Sequence, residues 1–264
     1  MRRTRSDAGV FMAGKLATVQ ALRQRPAGPP LDRPEVQMGR FRKTPENDPD
    51  VLREAMVARQ IERRGVSHPH VLRAMREVPR ELFVPSADLA DAYSDHALPI
   101  GRGQTISQPY IVASMTEKLE PEPGLSVLEV GTGSGYQAAI LAACGLEVYS
   151  VERIPSLQRR ARESLKKAGY ADRVHLRLGD GSEGWPEHAP YDRIILTAGT
   201  DEVPEALERQ LARGGVMLAP VGDRRIQHIH RYRKGPDGEI EEERLEGARF
   251  VPLVRSEADD GSPR

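Results

Sequence analysis

The segment from Leu128 to Tyr136 reads Leu-Glu-Val-Gly-Thr-Gly-Ser-Gly-Tyr and constrains the fold of this 264-residue chain more than any other feature. It follows a short apolar run and precedes a helical pattern, so its three glycines stand at a strand-to-helix turn. Glycines at such a turn have no Cβ atom, and backbone N–H groups can therefore approach a ligand closely. The segment predicts an α/β fold that binds a small molecule at the end of a strand.

Strand and helix patterns alternate on both sides of this turn. Alternation of this kind is typical of a parallel sheet with helices on its faces. The fold class predicted is α/β, with a doubly wound, mostly parallel, seven-stranded Rossmann-like sheet. Periodicity does not fix the order of the last two strands. We expect strands at 126–130, 147–151, 174–178, 193–197, 216–218, 226–232 and 248–254, and helices at 137–144, 156–168 and 204–211.

The N-terminal part of the chain differs in composition and in its pattern of apolar residues. Residues 1–50 are rich in Arg, Pro and Gly and predict a disordered extension. Residues 51–122 contain three helical patterns, the second of them preceded by Ser67 as a candidate cap, and form an N-terminal helical and substrate-binding segment. The cofactor-binding domain is expected at 123–255 and a disordered tail at 256–264.

Charge and composition argue against several classes of protein. Lysine plus arginine and aspartate plus glutamate both number 39, so no overall field attracts nucleic acid or an anionic membrane. The single Cys144 excludes an internal disulfide, and no apolar run is long enough to span a bilayer. His228 and His230 alternate along one strand pattern, which is poor geometry for a metal. We expect a cytoplasmic monomer with no metal, nucleic-acid or membrane partner.

Acidic residues near the ends of three successive strands narrow the choice of ligand. The loop spacing is G-x-G-x-G, unlike the G-x-G-x-x-G of dinucleotide binders, and Glu129 directly precedes it. A carboxylate there favours the ammonium and sulfonium of S-adenosylmethionine and repels a pyrophosphate. Glu152 is placed to accept hydrogen bonds from the ribose, and Asp180 from the adenine amino group. The residues expected to bind S-adenosyl-L-methionine are Glu129, Gly131, Thr132, Gly133, Ser134, Gly135, Glu152, Asp180 and Gly181.

Each of these features has an ordinary explanation when it is taken alone. A glycine turn often serves only tight packing, Glu152 could be a solvated charge at a strand end, and Gly-Asp-Gly is a common turn. Their order at successive strand ends favours the joint interpretation, an S-adenosylmethionine-dependent methyltransferase.

Three further segments carry a resemblance to a known family. Residues 78–84 read Val-Pro-Arg-Glu-Leu-Phe-Val, residues 105–109 Thr-Ile-Ser-Gln-Pro, and residues 249–253 Arg-Phe-Val-Pro-Leu. From about Val51 to Val254 the chain resembles the protein-L-isoaspartate O-methyltransferases of the class I methyltransferase superfamily. The resemblance implies a Rossmann-like methyltransferase fold in which the order of the last two strands is exchanged relative to the usual methyltransferase sheet. It also implies an enzyme that transfers a methyl group from S-adenosylmethionine to the free carboxylate of isoaspartyl, and D-aspartyl, residues in damaged proteins, which initiates repair.

The resemblance identifies Ser107 as the active-site residue, within a substrate-binding segment of Thr105, Ile106, Ser107 and Gln108. An isoaspartyl α-carboxyl has a pKa of roughly 3–4 and is already an anion at neutral pH, so no base is required. Catalysis then consists of positioning the carboxylate, and the Ser107 hydroxyl would donate a hydrogen bond to it. The alternative for Ser107 is a simple helix cap ahead of Gln108.

Two other functions stay open at this point. The cofactor half of the chain is compatible with a class I methyltransferase that acts on another carboxylate, a small molecule or RNA. A cofactor-binding adaptor that recognises isoaspartyl sites without turnover is the second alternative. Methyl transfer to an isoaspartyl peptide distinguishes both from the leading interpretation.

Overall fold

The computed structural model describes residues 48–84, 88–223 and 225–254. The expected disordered extension and tail fall mostly on residues 1–47 and 255–264, which lie outside the described residues. The first helix begins at Pro49.

Within the described residues, nine strands form a hairpin and a large sheet. They are β1 Leu98–Gly101, β2 Gln104–Ile106, β3 Ser126–Val130, β4 Glu147–Glu152, β5 Val174–Leu178, β6 Tyr191–Leu196, β7 Leu211–Gly222, β8 Gln227–Lys234 and β9 Ile240–Ala248. Strands β3 to β9 make one seven-stranded sheet in the order β5-β4-β3-β6-β7-β8-β9. The first five of these pair in parallel, whereas β8 and β9 pair antiparallel. The predicted α/β class with a mostly parallel sheet is confirmed, and the last two strands follow in chain order.

Seven α-helices surround the sheet in the part of the chain that the structure describes. They are α1 Pro49–Met56, α2 Pro69–Glu77, α3 Leu89–Ala92, α4 Pro109–Lys118, α5 Tyr136–Ala143, α6 Pro155–Ala168 and α7 Glu205–Gln210. Four of them begin at proline, whose fixed φ suits the first helical position. None of the helices in the described ranges is long and apolar enough to cross a membrane.

Apolar residues cover both faces of the sheet. On one face, Val127 and Val148 join a core with α1, α2, α4, α5 and α6. On the other, Leu128 and Val130 pack with residues of α7. Successive β3 residues therefore point into opposite cores, as alternation along a strand requires. Because both faces are buried, the carboxyl ends of β3, β4 and β6 are the accessible part of the sheet near the glycine loop.

The start of α2 differs from the prediction. Its N-cap residue is His68, which makes no side-chain capping hydrogen bond, so the expected cap at Ser67 is wrong. The backbone N–H groups of Ser67 and His68 instead both donate to Glu117 Oε1 at 2.7 Å. A carboxylate from α4 thus stabilises the positive end of α2 and joins the two helices.

The last strand also lies elsewhere than expected. It runs over Ile240–Ala248 and not over 248–254, and the latter segment makes only an isolated bridge between Pro252 and Gly199. Strand β9 is an edge strand with exposed glutamates, so it lacks the apolar pattern by which a strand is recognised. Residues 249–254 are apolar for another reason, because they cover a cavity at the carboxyl end of the sheet.

Candidate functional site

The glycine loop turns sharply between β3 and α5. Gly131 has φ +100°, and its N–H donates to the Val151 carbonyl at 2.9 Å. A Cβ atom at this position would lie 2.5 Å from Thr197 Oγ1, which itself donates to the Gly131 carbonyl at 2.5 Å. Only glycine therefore lets the loop rest against the end of β6.

A cavity lies over this loop, and residues of the loop and of the strand ends around it form its wall. Of the residues expected to bind the cofactor, six line it, namely Gly131, Thr132, Gly133, Ser134, Glu152 and Gly181. Thr105, Ile106 and Ser107 of the expected substrate segment line it from the other side.

Glu152, at the end of β4, is held by two backbone donors. Its Oε2 accepts from the N–H of Gly133 and its Oε1 from the N–H of Ile154, both at 2.8 Å. A carboxylate has about four lone-pair positions, so each oxygen can accept one more hydrogen bond. The side chain is oriented in advance at the cavity wall, as a receptor for a pair of neighbouring hydroxyls requires.

Glu129 is fully buried and is not among the residues that line the cavity. Its Oε2 accepts a hydrogen bond from Ser150, whose hydroxyl also contacts Thr132 Oγ1 at 2.6 Å. Burial raises the pKa of Glu129 to about 8, against the lowering effect of the Ser150 hydrogen bond. Glu129 therefore lies behind the loop and holds its proton at neutral pH, in contrast to the carboxylate facing the ligand that was predicted from the sequence.

Gly135 and Asp180 also lie off the cavity wall. Gly135 packs on α6, where an added Cβ would lie 3.2 Å from Ala161 Cβ. Asp180 caps a short 3-10 helix at Gly181–Glu183, and its Oδ1 accepts from the N–H and hydroxyl of Ser182 at 2.8 Å. Asp180 thereby fixes the position of Gly181, which does line the cavity.

A second cavity shares part of its wall with the first. Ser107 and Gln108 lie on its wall, together with Asp95 and His96. The residues common to both cavities are Thr105, Ser107, Thr197 and Val251. The two cavities therefore meet at the residue that the resemblance identifies as the active-site residue.

Ser107 stands between β2 and α4 and does not cap the helix. The N-cap residue of α4 is Gln108, and it makes no side-chain capping hydrogen bond. The Ser107 carbonyl accepts a hydrogen bond from Arg80 Nη2 at 2.9 Å. Ser107 therefore lies on the wall that the two cavities share, and the capping alternative for Ser107 is not observed.

Residues 249–254, which we call the strap, were missed as part of the site. Val251 to Val254 line the first cavity, and Arg249 to Val251 line the second. The strap is held by Gly199, whose N–H donates to the Val251 carbonyl at 2.8 Å and whose carbonyl accepts from Leu253. Its apolar character had suggested a strand, because a cavity wall and a strand both require buried apolar side chains.

Thr197, which follows β6, was also missed. A rule that ligands bind at the carboxyl ends of parallel strands could have identified it. Arg80 and Gln227 were not singled out either, since a charged or polar side chain gives no periodic signal when it is buried. Both contact the backbone of residues that line the cavities.

Comparison with known proteins assigns the family. The family model described as protein-L-isoaspartate(D-aspartate) O-methyltransferase matches residues 52–258. The chain belongs to this family. The protein-L-isoaspartate O-methyltransferase of Methanospirillum hungatei is 54% identical over 202 residues, which cover 76% of this chain and 93% of that protein. The protein-L-isoaspartate O-methyltransferase 1 of Syntrophobacter fumaroxidans is 50% identical and covers the same share of this chain and 94% of its own.

Solved structures agree with this assignment. A structure of a protein-L-isoaspartate O-methyltransferase superposes with a TM-score of 0.70 and 32% identity, over 76% of this chain and 66% of that one. A Plasmodium falciparum structure described as a putative member of the same family, in complex with S-adenosyl-L-homocysteine, has a TM-score of 0.68 and 25% identity, over 79% and 99%. The chain is accordingly an S-adenosylmethionine-dependent methyltransferase with the Rossmann-like fold of its family.

Proposed function

We propose that this methyltransferase esterifies the free α-carboxylate of isoaspartyl, and D-aspartyl, residues at the junction of its two cavities, with Ser107 as the residue that holds the acceptor. The observation that supports this most directly is the shared wall of Thr105, Ser107, Thr197 and Val251, because a methyl donor in one cavity and an acceptor in the other would meet there. In-line transfer requires this adjacency.

The first cavity suits S-adenosylmethionine, which supplies an electrophilic methyl group on a sulfonium. Glu152 would accept hydrogen bonds from the ribose hydroxyls with the lone pairs that Gly133 and Ile154 leave free. The backbone of residues 131–135 would surround the methionine end, and Asp180 with Gly181 the adenine. Glu129 would act from behind the loop, by holding Ser150 and Thr132 in place.

The second cavity suits an extended peptide with an anionic residue at its inner end. Since the acceptor carboxylate is ionised at neutral pH, the protein does not have to remove a proton. The Ser107 hydroxyl would donate to one carboxylate oxygen and leave the other free to attack, with Thr105 and Gln108 beside it. Charge disappears as the anion meets the sulfonium, so the apolar strap favours transfer by keeping water away.

The balanced charge and the single, buried cysteine support a further proposal about context. We propose a cytoplasmic monomer that takes isoaspartyl peptides and proteins as substrates and has no nucleic-acid or membrane partner. Sedimentation of the full chain at micromolar concentration would check the oligomeric state.

The decisive test of the activity uses a labelled methyl group. The full chain is incubated with labelled S-adenosylmethionine and an isoaspartyl peptide, beside the same peptide with an ordinary aspartyl residue. We expect label only in the isoaspartyl peptide. Equal labelling of the two peptides, or no labelling, would contradict the function.

The role of Ser107 is tested separately with Ser107→Ala. We expect kcat to fall by about 10²-fold or more, the scale of a misplaced reactant, with the dissociation constant for S-adenosylhomocysteine unchanged within about twofold. Ser94→Ala is the matched control, because the Ser94 hydroxyl donates to the Ala90 carbonyl and lines neither cavity. A large loss of cofactor affinity in Ser107→Ala would place Ser107 in the cofactor site instead.

A further inference from the structure

Arg80 is a fully buried arginine that contacts the backbone of Ser107. It begins the short 3-10 helix Arg80–Phe83, and its side chain is 0% exposed. Burying a guanidinium is strongly unfavourable unless its N–H groups find partners. The hydrogen-bond acceptors of Arg80 in this fold therefore indicate its role.

The acceptors of Arg80 are two backbone carbonyl groups and not carboxylates. Its Nε donates to Ala92 at 2.8 Å and its Nη2 to Ser107 at 2.9 Å. Its guanidinium lies 4.8 Å from the ring centre of Tyr136, which lines the first cavity. One side chain thus joins three segments that surround the two cavities.

The segment that follows Ala92 forms a wall of the acceptor cavity, through Asp95, His96 and Ala97. This segment is anchored again at its first residue, because the Tyr93 hydroxyl donates to Glu81 and the Tyr93 carbonyl accepts from Gln60 at 2.9 Å. Arg80 and Glu81 therefore fix a wall of the acceptor cavity that lies next to the Ser107 segment, because Gln108 Nε2 donates to the Asp95 carbonyl at 3.0 Å.

The charge of Arg80 is only partly compensated. Within the described part of the chain, its Nη1 has no hydrogen-bond partner. Burial lowers the pKa of Arg80, but an arginine side chain stays protonated at neutral pH. A positive charge thus remains in a poorly solvated place, one hydrogen bond away from Ser107.

We propose that Arg80 is a positioning residue for methyl transfer, which fixes the Ser107 carbonyl and hence its hydroxyl, and whose buried charge attracts the acceptor carboxylate. This inference rests on the proposed function, because it assigns a purpose to Arg80 only if an anion is held at Ser107. Arg80 lines neither cavity and acts through Ser107 and residues 92–97.

The two parts of the proposal affect different kinetic constants. The orientation of Ser107 is needed most in the transition state, so its loss lowers kcat. The carboxylate loses its negative charge during transfer, so a nearby positive charge stabilises the bound acceptor more than the transition state. Loss of that charge therefore raises the KM for the peptide.

Two substitutions separate these effects in the full chain. Arg80→Lys keeps the positive charge but loses the planar guanidinium, whose N–H groups reach two carbonyl groups at once. We expect its kcat to fall by about 10- to 100-fold with little change in the peptide KM. Arg80→Met removes the charge as well, and its peptide KM should rise by about tenfold in addition. The dissociation constant for S-adenosylhomocysteine should stay within about threefold in both.

Arg193→Met is the matched control. Arg193 is also buried, and its Nε and Nη2 donate to the Glu120 carbonyl at 3.1 and 3.0 Å, but it lines neither cavity. It should lower thermal stability and leave kcat and KM within about twofold. Circular dichroism with and without S-adenosylhomocysteine would establish folding in all three variants.

Several results would overturn the proposal. One is a folded Arg80→Lys with wild-type kcat, and another is a folded Arg80→Met with the peptide KM of Arg80→Lys. If neither Arg80 variant folds while Arg193→Met does, Arg80 is a structural residue only. Failure of the wild-type chain to methylate the isoaspartyl peptide would contradict the proposed function itself, so the two failures are distinguishable.

Discussion

Gln227→Leu tests how much of the site depends on the strap. Gln227 is 3% exposed, and its side chain holds the strap at Phe250: Oε1 accepts from the Phe250 N–H at 2.7 Å, and Nε2 donates to the Phe250 carbonyl at 3.4 Å. Nε2 also donates to the Asp223 carbonyl at 3.2 Å. Leucine fills a similar volume and makes none of these hydrogen bonds.

The magnitude follows from the three hydrogen bonds. The hydrogen bond from the Phe250 N–H contributes about 1 kcal/mol to holding the strap, and the two longer hydrogen bonds from Nε2 contribute about 0.5 kcal/mol each. The three together contribute about 2 kcal/mol. Since 1.4 kcal/mol is a factor of ten, a strap that had no other support would weaken ligand binding by about 30-fold. The two backbone hydrogen bonds of Gly199 remain, so we expect about tenfold.

Isothermal titration with S-adenosylhomocysteine would measure this change, and steady-state kinetics would measure the peptide KM. Both constants should rise, because strap residues line both cavities. Gln210→Leu is the matched control: Gln210 is also buried and also binds two backbone groups, those of Trp185 and Glu183, but it lines neither cavity. Equal falls in Tm with unchanged ligand affinity in both variants would refute the reasoning.

Two further predictions concern the glycine loop and the acid behind it. Gly131→Ala would strain the backbone by about 1–2 kcal/mol at φ +100° and would bring Cβ to 2.5 Å from Thr197 Oγ1, so Tm and S-adenosylhomocysteine affinity should both fall. If Gly131→Ala binds S-adenosylhomocysteine with wild-type affinity in a calorimetric titration, the loop can shift to accommodate Cβ and the prediction is wrong. Burial raises the pKa of Glu129 to about 8 from its ordinary value of 4.5, and a pKa that is raised in the folded state means that stability is lost as pH rises between these values. The Tm of the wild type without ligand should therefore fall more steeply than that of Glu129→Gln across this window in a thermal melt; parallel curves would contradict a buried, protonated Glu129.

Periodicity and glycine chemistry were enough to predict the parallel part of the sheet. Strands β3 and β5 coincide with their predicted bounds, because both lie between clear turn signals. Strand β3 is buried from Val127 to Val130, whereas β5 alternates apolar Val174, Leu176 and Leu178 with His175 and Arg177. The cavity-lining part of the glycine loop and Glu152 followed from the same reasoning, since the carboxyl ends of parallel strands meet at one edge.

The last strand, the strap and the buried polar side chains beside the cavities could not be predicted from the sequence, for physical reasons. Strand β9 is charged on an exposed edge, where cross-strand pairs such as Arg231 with Glu243 replace apolar burial. Strap residues are apolar without being a strand, because they cover a cavity. Arg80 and Gln227 act through long-range hydrogen bonds to backbone groups, and no local pattern in a sequence records such contacts.

The shared wall of the two cavities has a thermodynamic consequence for the order of events. Both cavities are lined by Thr105, Ser107, Thr197 and Val251. A ligand that orders these residues from one cavity therefore alters the free energy of binding in the other cavity. Linkage makes this effect reciprocal: the factor by which the methyl donor changes peptide affinity equals the factor by which the peptide changes donor affinity. Under the proposed function, the affinity for a damaged protein and the affinity for the methyl donor are therefore coupled through the wall that the two cavities share.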